Sequence, residues 1–331
     1  MLIDVHAHMI TPGMLDAHDY WGPFMTANGF RVGNFCLGTS KRQAISDAVS
    51  TQKLLDKMSH DSRRALMHER NMDKIVLSIP SNSFLYWAGE FGNEYAEICN
   101  KELSQYCAED PSHFAFWAHA NLADPKSAID QIDRAVNYLG AKGVCVGGSN
   151  FNGLEAHNEA LFPVWEKLSE LDVPLMVHGY NKSVWNQEEN KKDLFNTSSV
   201  LGDCYDQSLF FWNLICGGAL DEYPNLKTYL TNAGGVCLFQ LGRLDSLNQS
   251  MESDAKNKKS VSQYLKQFWF DLDVHTLSLR KAVVEIAGVE NILHGTNFGG
   301  KDFGNPTSGL GLSDLQNEKI RSANAIKLLN L

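Results

Sequence analysis

Short apolar runs recur along the chain, and each is followed by a stretch whose apolar residues fall at three- and four-residue steps. The runs Leu2–His6, Lys74–Ile79, Phe114–Asn121, Gly143–Gly147, Pro174–His178, Leu226–Thr231, Phe268–Leu272 and Asn291–Thr296 predict strands. The stretches Ala44–Glu69, Asn93–Ala108, Pro125–Leu139, Asn158–Leu171, Leu209–Tyr223, Cys237–Gln249, Leu277–Ala287 and Ser313–Leu329 predict helices. Strands that alternate with helices pair in parallel and carry the helices outside. Eight such units predict an α/β protein, one (β/α)8 barrel of TIM type, spanning residues 1–331 as a single domain. The competing architecture is an open doubly wound sheet. It would usually place a glycine-rich phosphate loop after the first strand, where this chain has His6-Ala7-His8-Met9-Ile10-Thr11-Pro12.

Two long irregular stretches, Met9–Lys41 and Gly179–Asp206, follow the first and fifth strands. Both are therefore expected at the carboxyl face of the barrel, as lids or substrate walls. The alternative is that they are structural loops without ligand contact.

With 331 residues, of which 44% are hydrophobic, the chain can bury a large core. No apolar run reaches the roughly 18–20 residues that span a bilayer. The chain enters its first strand without a basic and then apolar leader, so a cytoplasmic location is expected. Seven cysteines (Cys36, Cys99, Cys107, Cys145, Cys204, Cys216 and Cys237) are dispersed with no C-x-x-C pair, which reads as reduced thiols. The net charge is −10 and no long Lys/Arg block occurs, which argues against nucleic acid as a partner. A local basic pocket for a small anion stays compatible with that charge.

Barrels of this kind carry their chemistry at the carboxyl ends of the strands. Side chains two apart on a strand share a face, so His6 and His8 point the same way, and neutral imidazoles suit Zn²⁺ and its neighbours. His178 closes the fifth strand; its other reading is a core histidine satisfied by backbone groups. Asn232 closes the sixth strand and Asn297 the eighth, while Asp273 and His275 follow the seventh and Asn150 and Asn152 the fourth. Three imidazoles with one open position form a catalytic metal layout. His119 and His275 suit packing or support of the ligands at least as well as ligation. His18, His60, His68, His113 and His157 read as surface residues and Cys237 as a packed thiol.

Several stretches together carry a family resemblance: Ile3-Asp4-Val5-His6-Ala7-His8, Gly140 through Val144, Leu161 through Glu166, Val173 through His178, Tyr223 through Lys227, Gly234-Gly235 with Leu241-Gly242-Arg243, Phe270-Asp271, Gly288 through Gly295, and Ala323 through Leu329. On these the chain resembles the amidohydrolase superfamily, in the branch of 2-amino-3-carboxymuconate-6-semialdehyde decarboxylase and its relatives. The resemblance implies a metal held by His6, His8 and His178, with Asn297 at the fourth position. It implies that Arg243 binds a substrate carboxylate, in some members from a neighbouring subunit, and hence a homodimer. Lys41, Arg42 and Asn181 from the long loops are expected to assist. A structural salt bridge is the alternative for Arg243.

The chain departs from the branch at two places. Asn232 stands where the family usually has a general-base histidine, and Asn297 where it has a metal-ligating Asp or Glu. An amide cannot trade protons near neutral pH and brings no negative charge to an ion. General acid–base help contributes about 10²–10⁴-fold in rate. The expected function is a metal-dependent non-oxidative decarboxylase, or a hydrolase, of a small carboxylated aromatic or ring-cleavage product, with Asn232, Asn297 and His178 at the reacting centre. The metal expected is Zn, with Mn or Co possible, weakly held or absent. The alternative is a divergent member, natural or engineered, that is metal-free or impaired and mainly binds such a ligand.

Overall fold

The computed structural model describes residues 1–16, 55–180, 198–250, 254–299 and 304–331. Seven parallel strands lie side by side in chain order: β1 (Ile3–His8), β2 (Lys74–Ser78), β3 (Phe114–His119), β4 (Gly143–Gly147), β5 (Leu175–His178), β6 (Thr228–Leu230) and β7 (Phe268–Phe270). Helices follow them: α1 (His60–Glu69), α2 (Glu90–Glu109), α3 (Pro125–Asn137), α4 (Phe162–Glu170), α5 (Asp203–Cys216), α6 (Leu241–Ser250), α7 (Leu277–Ala287) and α8 (Asn324–Leu329). Parallel pairing needs such crossovers, and every residue of β1, β4, β5 and β6 is buried, as strands covered on both faces must be.

The eighth expected strand is not a regular one. Segment 292–298 meets the sheet through two isolated parallel bridges, Ile292 to Phe270 and Phe298 to Ala7. The amide of Leu293 donates to the Phe270 carbonyl at 2.8 Å, and that of Val5 to the His294 carbonyl at 3.0 Å. The amide of Phe298 donates to the His6 carbonyl at 2.9 Å, and that of His8 to the Phe298 carbonyl at 2.8 Å. The segment therefore lies between β7 and β1, and the sheet curls back on itself. Extended geometry breaks at Asn297, whose φ of +59° is left-handed.

Other boundaries shift for local reasons. Helix α1 begins after Ser59, whose side chain accepts from the Ser62 amide as an N-cap, inside the longer stretch expected from Ala44. Asp124 caps α3 in the same way and Pro125 occupies its first turn. The expected loop Gly179–Asp206 is already helical from Ser198, where one wide turn runs into α5. Helix α5 stops at Cys216, short of Tyr223, because Gly218 takes φ +84°. Most of both long loops, with Lys41, Arg42, Asn181, Cys36 and His18, lies outside the described residues.

Aromatic side chains fill the ring. The Trp117 indole is fully buried and its Nε1 donates to the Val5 carbonyl at 2.9 Å, tying β3 across to β1. It lies against Gly143, where a Cβ would sit 2.5 Å from the indole Cζ3, so only glycine admits it there. Tyr229 follows at a ring separation of 6.0 Å and leads up to the strand ends. The six described cysteines are free, and Cys237 is buried as expected. His68 and His157 are exposed; His60 and His113 are half-buried, and His60 stacks on Tyr106 at 3.8 Å. Among the described residues, no helix is long and apolar enough to cross a membrane.

Candidate metal centre

The last residues of β1 and β5 bring three imidazoles together. The ring centroids of His6, His8 and His178 are 5.3, 5.0 and 5.1 Å apart, and all three residues are buried. One ring nitrogen from each lies within 4.8 Å of the others. The Nε2 atoms of His6 and His178 are buried and have no hydrogen-bond partner. Such orphaned acceptors are destabilising unless something binds them. Three neutral imidazoles with unused lone pairs are a donor set that fits a divalent transition ion.

The opposite side of each ring is fixed. His178 donates through Nδ1 to the Gly179 carbonyl at 3.0 Å, which leaves Nε2 as the lone pair. His8 Nδ1 lies 3.2 Å from the Ser78 hydroxyl, its register neighbour on β2. His6 Nδ1 meets Asp271 Oδ2 at 3.1 Å, just past β7. That carboxyl is fully engaged: the Tyr229 hydroxyl donates to Oδ2 at 2.8 Å, and the amides of Ala233 and Asp273 donate to Oδ1 at 3.1 and 3.2 Å. An imidazole that carries its proton toward a carboxyl is held in the orientation and tautomer a metal needs.

Charge follows the same pattern. Burial, with the neighbouring His178 and His6, pushes His8 well below the ordinary histidine range. Burial also lowers His178, to about 3. Burial would lower His6 too, but the Asp271 hydrogen bond and charge outweigh it and raise its pKa. Burial keeps the Tyr229 hydroxyl protonated, so it remains a donor.

The remaining expected residues are placed as follows. Asn297 is half-buried, and its side chain lies near enough to the His8 ring to act on its charge. Asn232, also left-handed at φ +50°, accepts on Oδ1 from Gln207 Nε2 at 3.0 Å and donates from Nδ2 to Asp273 Oδ2 at 2.9 Å. Asp273 in turn meets the exposed His275 through Oδ1 at 2.9 Å. Burial and the nearby Asp271 raise the Asp273 carboxyl to about 6. His119 is a buried packing residue, stacked on Phe84 at 4.5 Å with Nδ1 3.3 Å from the Cys145 carbonyl. Asn150 and Asn152 adopt left-handed backbone and shape a turn. Arg243 is exposed on α6.

Sequence reasoning missed Asp271 as the partner of His6, Tyr229 beneath it, and the role of Gly295. A Cβ on Gly295 would stand 2.8 Å from the Tyr229 hydroxyl, 2.9 Å from His6 Cβ and 3.0 Å from Asp271 Cβ. The available signal for Asp271 was its place one residue beyond an apolar strand, at the rim where ligands gather.

The sequence model of the amidohydrolase family matches residues 3–331. The chain is 25% identical over 241 residues to 2-amino-3-carboxymuconate-6-semialdehyde decarboxylase of Dictyostelium discoideum, covering 72% of this chain and 66% of that protein. It is 25% identical over 295 residues to gamma-resorcylate decarboxylase of Polaromonas sp. (strain JS666), covering 84% and 89%. Among solved structures, a 5-carboxyvanillate decarboxylase from Novosphingobium aromaticivorans with bound manganese superposes with a TM-score of 0.84 at 20% identity, covering 100% of this chain and 97% of that one. A 2,6-dihydroxybenzoate decarboxylase complexed with 2,6-dihydroxybenzoate gives 0.77 at 19% identity, covering 99% and 98%.

Proposed function

The chain belongs to the amidohydrolase family, and from that premise we propose that it is a metal-dependent, non-oxidative decarboxylase of a small carboxylated aromatic acid or ring-cleavage product. That it is an enzyme follows from its family and from relatives that are decarboxylases. The observation that carries the proposal is the convergence of His6, His8 and His178 with two orphaned Nε2 atoms. Solved neighbours of the same fold hold manganese, so Mn moves ahead of Zn and Co among the ions to test. When bound, such an ion would polarise substrate oxygens as a Lewis acid.

The chain's own residues divide the other tasks. Asn297, beside His8, is a neutral neighbour to the ion rather than a charged ligand. Asn232 is held by Gln207 and Asp273, so it can orient a substrate oxygen but cannot deliver a proton. Decarboxylation requires a proton at the ring carbon as the bond to CO₂ breaks. Asp273, raised to about 6 and linked outward to His275, is the titratable group of this rim. Arg243, with Lys41, Arg42 and Asn181, is the proposed anchor for the substrate carboxylate, and a homodimer in the cytoplasm the proposed form. A guanidinium suits that role because it clamps a carboxylate bidentately.

Metal analysis of purified protein, combined with CO₂ release from a panel of hydroxybenzoic acids, tests this reading. Near-stoichiometric divalent metal and turnover of at least one acid are expected, with a gain in rate for Asn297→Asp with Asn232→His. Protein without metal, whose double variant neither binds one nor releases CO₂, would leave ligand binding as the function.

A further inference from the structure

A second polar cavity, of about 130 Å³, lies away from the imidazoles. Leu2, at the amino end of β1, lines it, six residues and roughly 20 Å of strand from His8. Its polar lining is Arg70 and Asn71 after α1, His294 from the segment between β7 and β1, Asn305 and Thr307, and Arg321 in the turn before α8. Two guanidiniums face this space, and no carboxylate lines it among the described residues.

His294 is the decisive residue. It is 2% exposed, and both its ring nitrogens are buried without a hydrogen-bond partner. An apolar ring would serve packing better at such a place, because each buried orphan is destabilising. Burial and the Arg321 charge lower its pKa to about 3, so the imidazole offers one N–H donor and one acceptor. Arg70 is held over the Phe298 ring at 5.1 Å, which orders it in advance of any ligand. Asn305 Oδ1 already accepts from the Thr307 hydroxyl at 3.0 Å and from its amide at 3.2 Å, which leaves the amide nitrogen to act as donor. The set is donor-rich and cationic. At about 30 Å³ per water, the cavity has room for roughly four waters, or one five-atom oxyanion.

We propose that this cavity between α1, α8 and the barrel wall binds a tetrahedral oxyanion of the phosphate type, independently of the metal centre. Planar guanidiniums and an imidazole N–H match its geometry. The site does not depend on the decarboxylase reading, and its test does not use activity.

Thermal unfolding of the metal-loaded protein in inorganic phosphate, against chloride at equal ionic strength, reads the site. Saturating phosphate is expected to raise the melting temperature by about 2 °C or more. Arg321→Gln and His294→Phe should each abolish that increment, and His294→Phe should not lower the melting temperature in chloride. Should His294→Phe fail to fold, Arg321→Gln decides alone. Glycerol phosphate as a second titrant separates the sources: an equal or larger increment assigns the group to a phosphorylated metabolite, and none assigns it to the free ion. No increment in the unsubstituted protein, or one that survives in either variant, overturns the proposal.

Discussion

Asp271 shows how much of the candidate metal centre rests on a residue that would not touch an ion. Its carboxyl takes four hydrogen bonds, and one fixes the His6 ring. Asp271→Asn keeps the shape but replaces an acceptor with a donor on one side. Metal affinity is expected to fall about 10–100-fold, measured by competition with a chelator, while the fold is retained. His119 allows a cleaner test of charge, because it lies apart from the cluster. The unfolded ring titrates near 6.5, and burial lowers the folded one to about 4. Between those values unfolding takes up a proton, so this group lowers stability as pH falls, by about 1.4 kcal/mol per unit. Above 6.5 it contributes no slope. Buried Asp4, raised to about 6, acts in the opposite sense, its contribution being lost as pH rises from 3.8. Denaturant unfolding of His119→Phe at pH 7.5 and 5.5 should therefore show a smaller acid loss than the parent, by roughly 1.4 kcal/mol at the lower pH. An unchanged difference would place the titration elsewhere. At this scale the sequence was legible where spacing carries the message: His6 and His8 two apart, His178 ending an apolar strand. It was less legible for Asp271, whose place past an apolar strand marks the rim but whose partner is 265 positions away.

The elements repeat this division. Strand β4 and helix α7 begin and end where the pattern of apolar residues does. Strands β6 and β7 keep only three residues in the ladder, because apolar sequence marks burial and not hydrogen bonding. Asn291–Thr296 reads as a strand from its hydrophobicity, yet segment 292–298 pairs by bridges and turns at Asn297. At Gly295 its backbone passes close to Tyr229, His6 and Asp271. Gly295→Ala places a methyl within 3.0 Å of Tyr229, His6 and Asp271. Neighbours so well tied cannot yield cheaply, so a loss of about 1–3 kcal/mol is expected. Denaturant unfolding measures it, and metal affinity should fall in parallel because His6 must move. A neutral result would mean that the segment shifts freely.

Across the whole molecule, the imidazoles come from β1 and β5, which lie on different sides of the curled sheet, with four strand pairings between them. An ion held by both joins two parts of the ring that otherwise communicate through those pairings and the core. Ligands that bind only the folded chain stabilise it by mass action. Manganese at about 100 times its dissociation constant would add about 2.7 kcal/mol, or roughly 4 °C in melting temperature. Scanning calorimetry with and without a chelator checks this, and His178→Ala should remove the increment. The overall architecture was legible because eight alternations allow few arrangements. The place of the seam followed from a closed barrel; its thin pairing, by isolated bridges alone, did not show in the sequence.

That seam also sets an order of events during synthesis. The strand bearing His6 and His8 leaves the ribosome long before its partner on one edge, which among the described residues is segment 292–298. Until residues 292–298 have been translated, that edge remains exposed to other nascent chains.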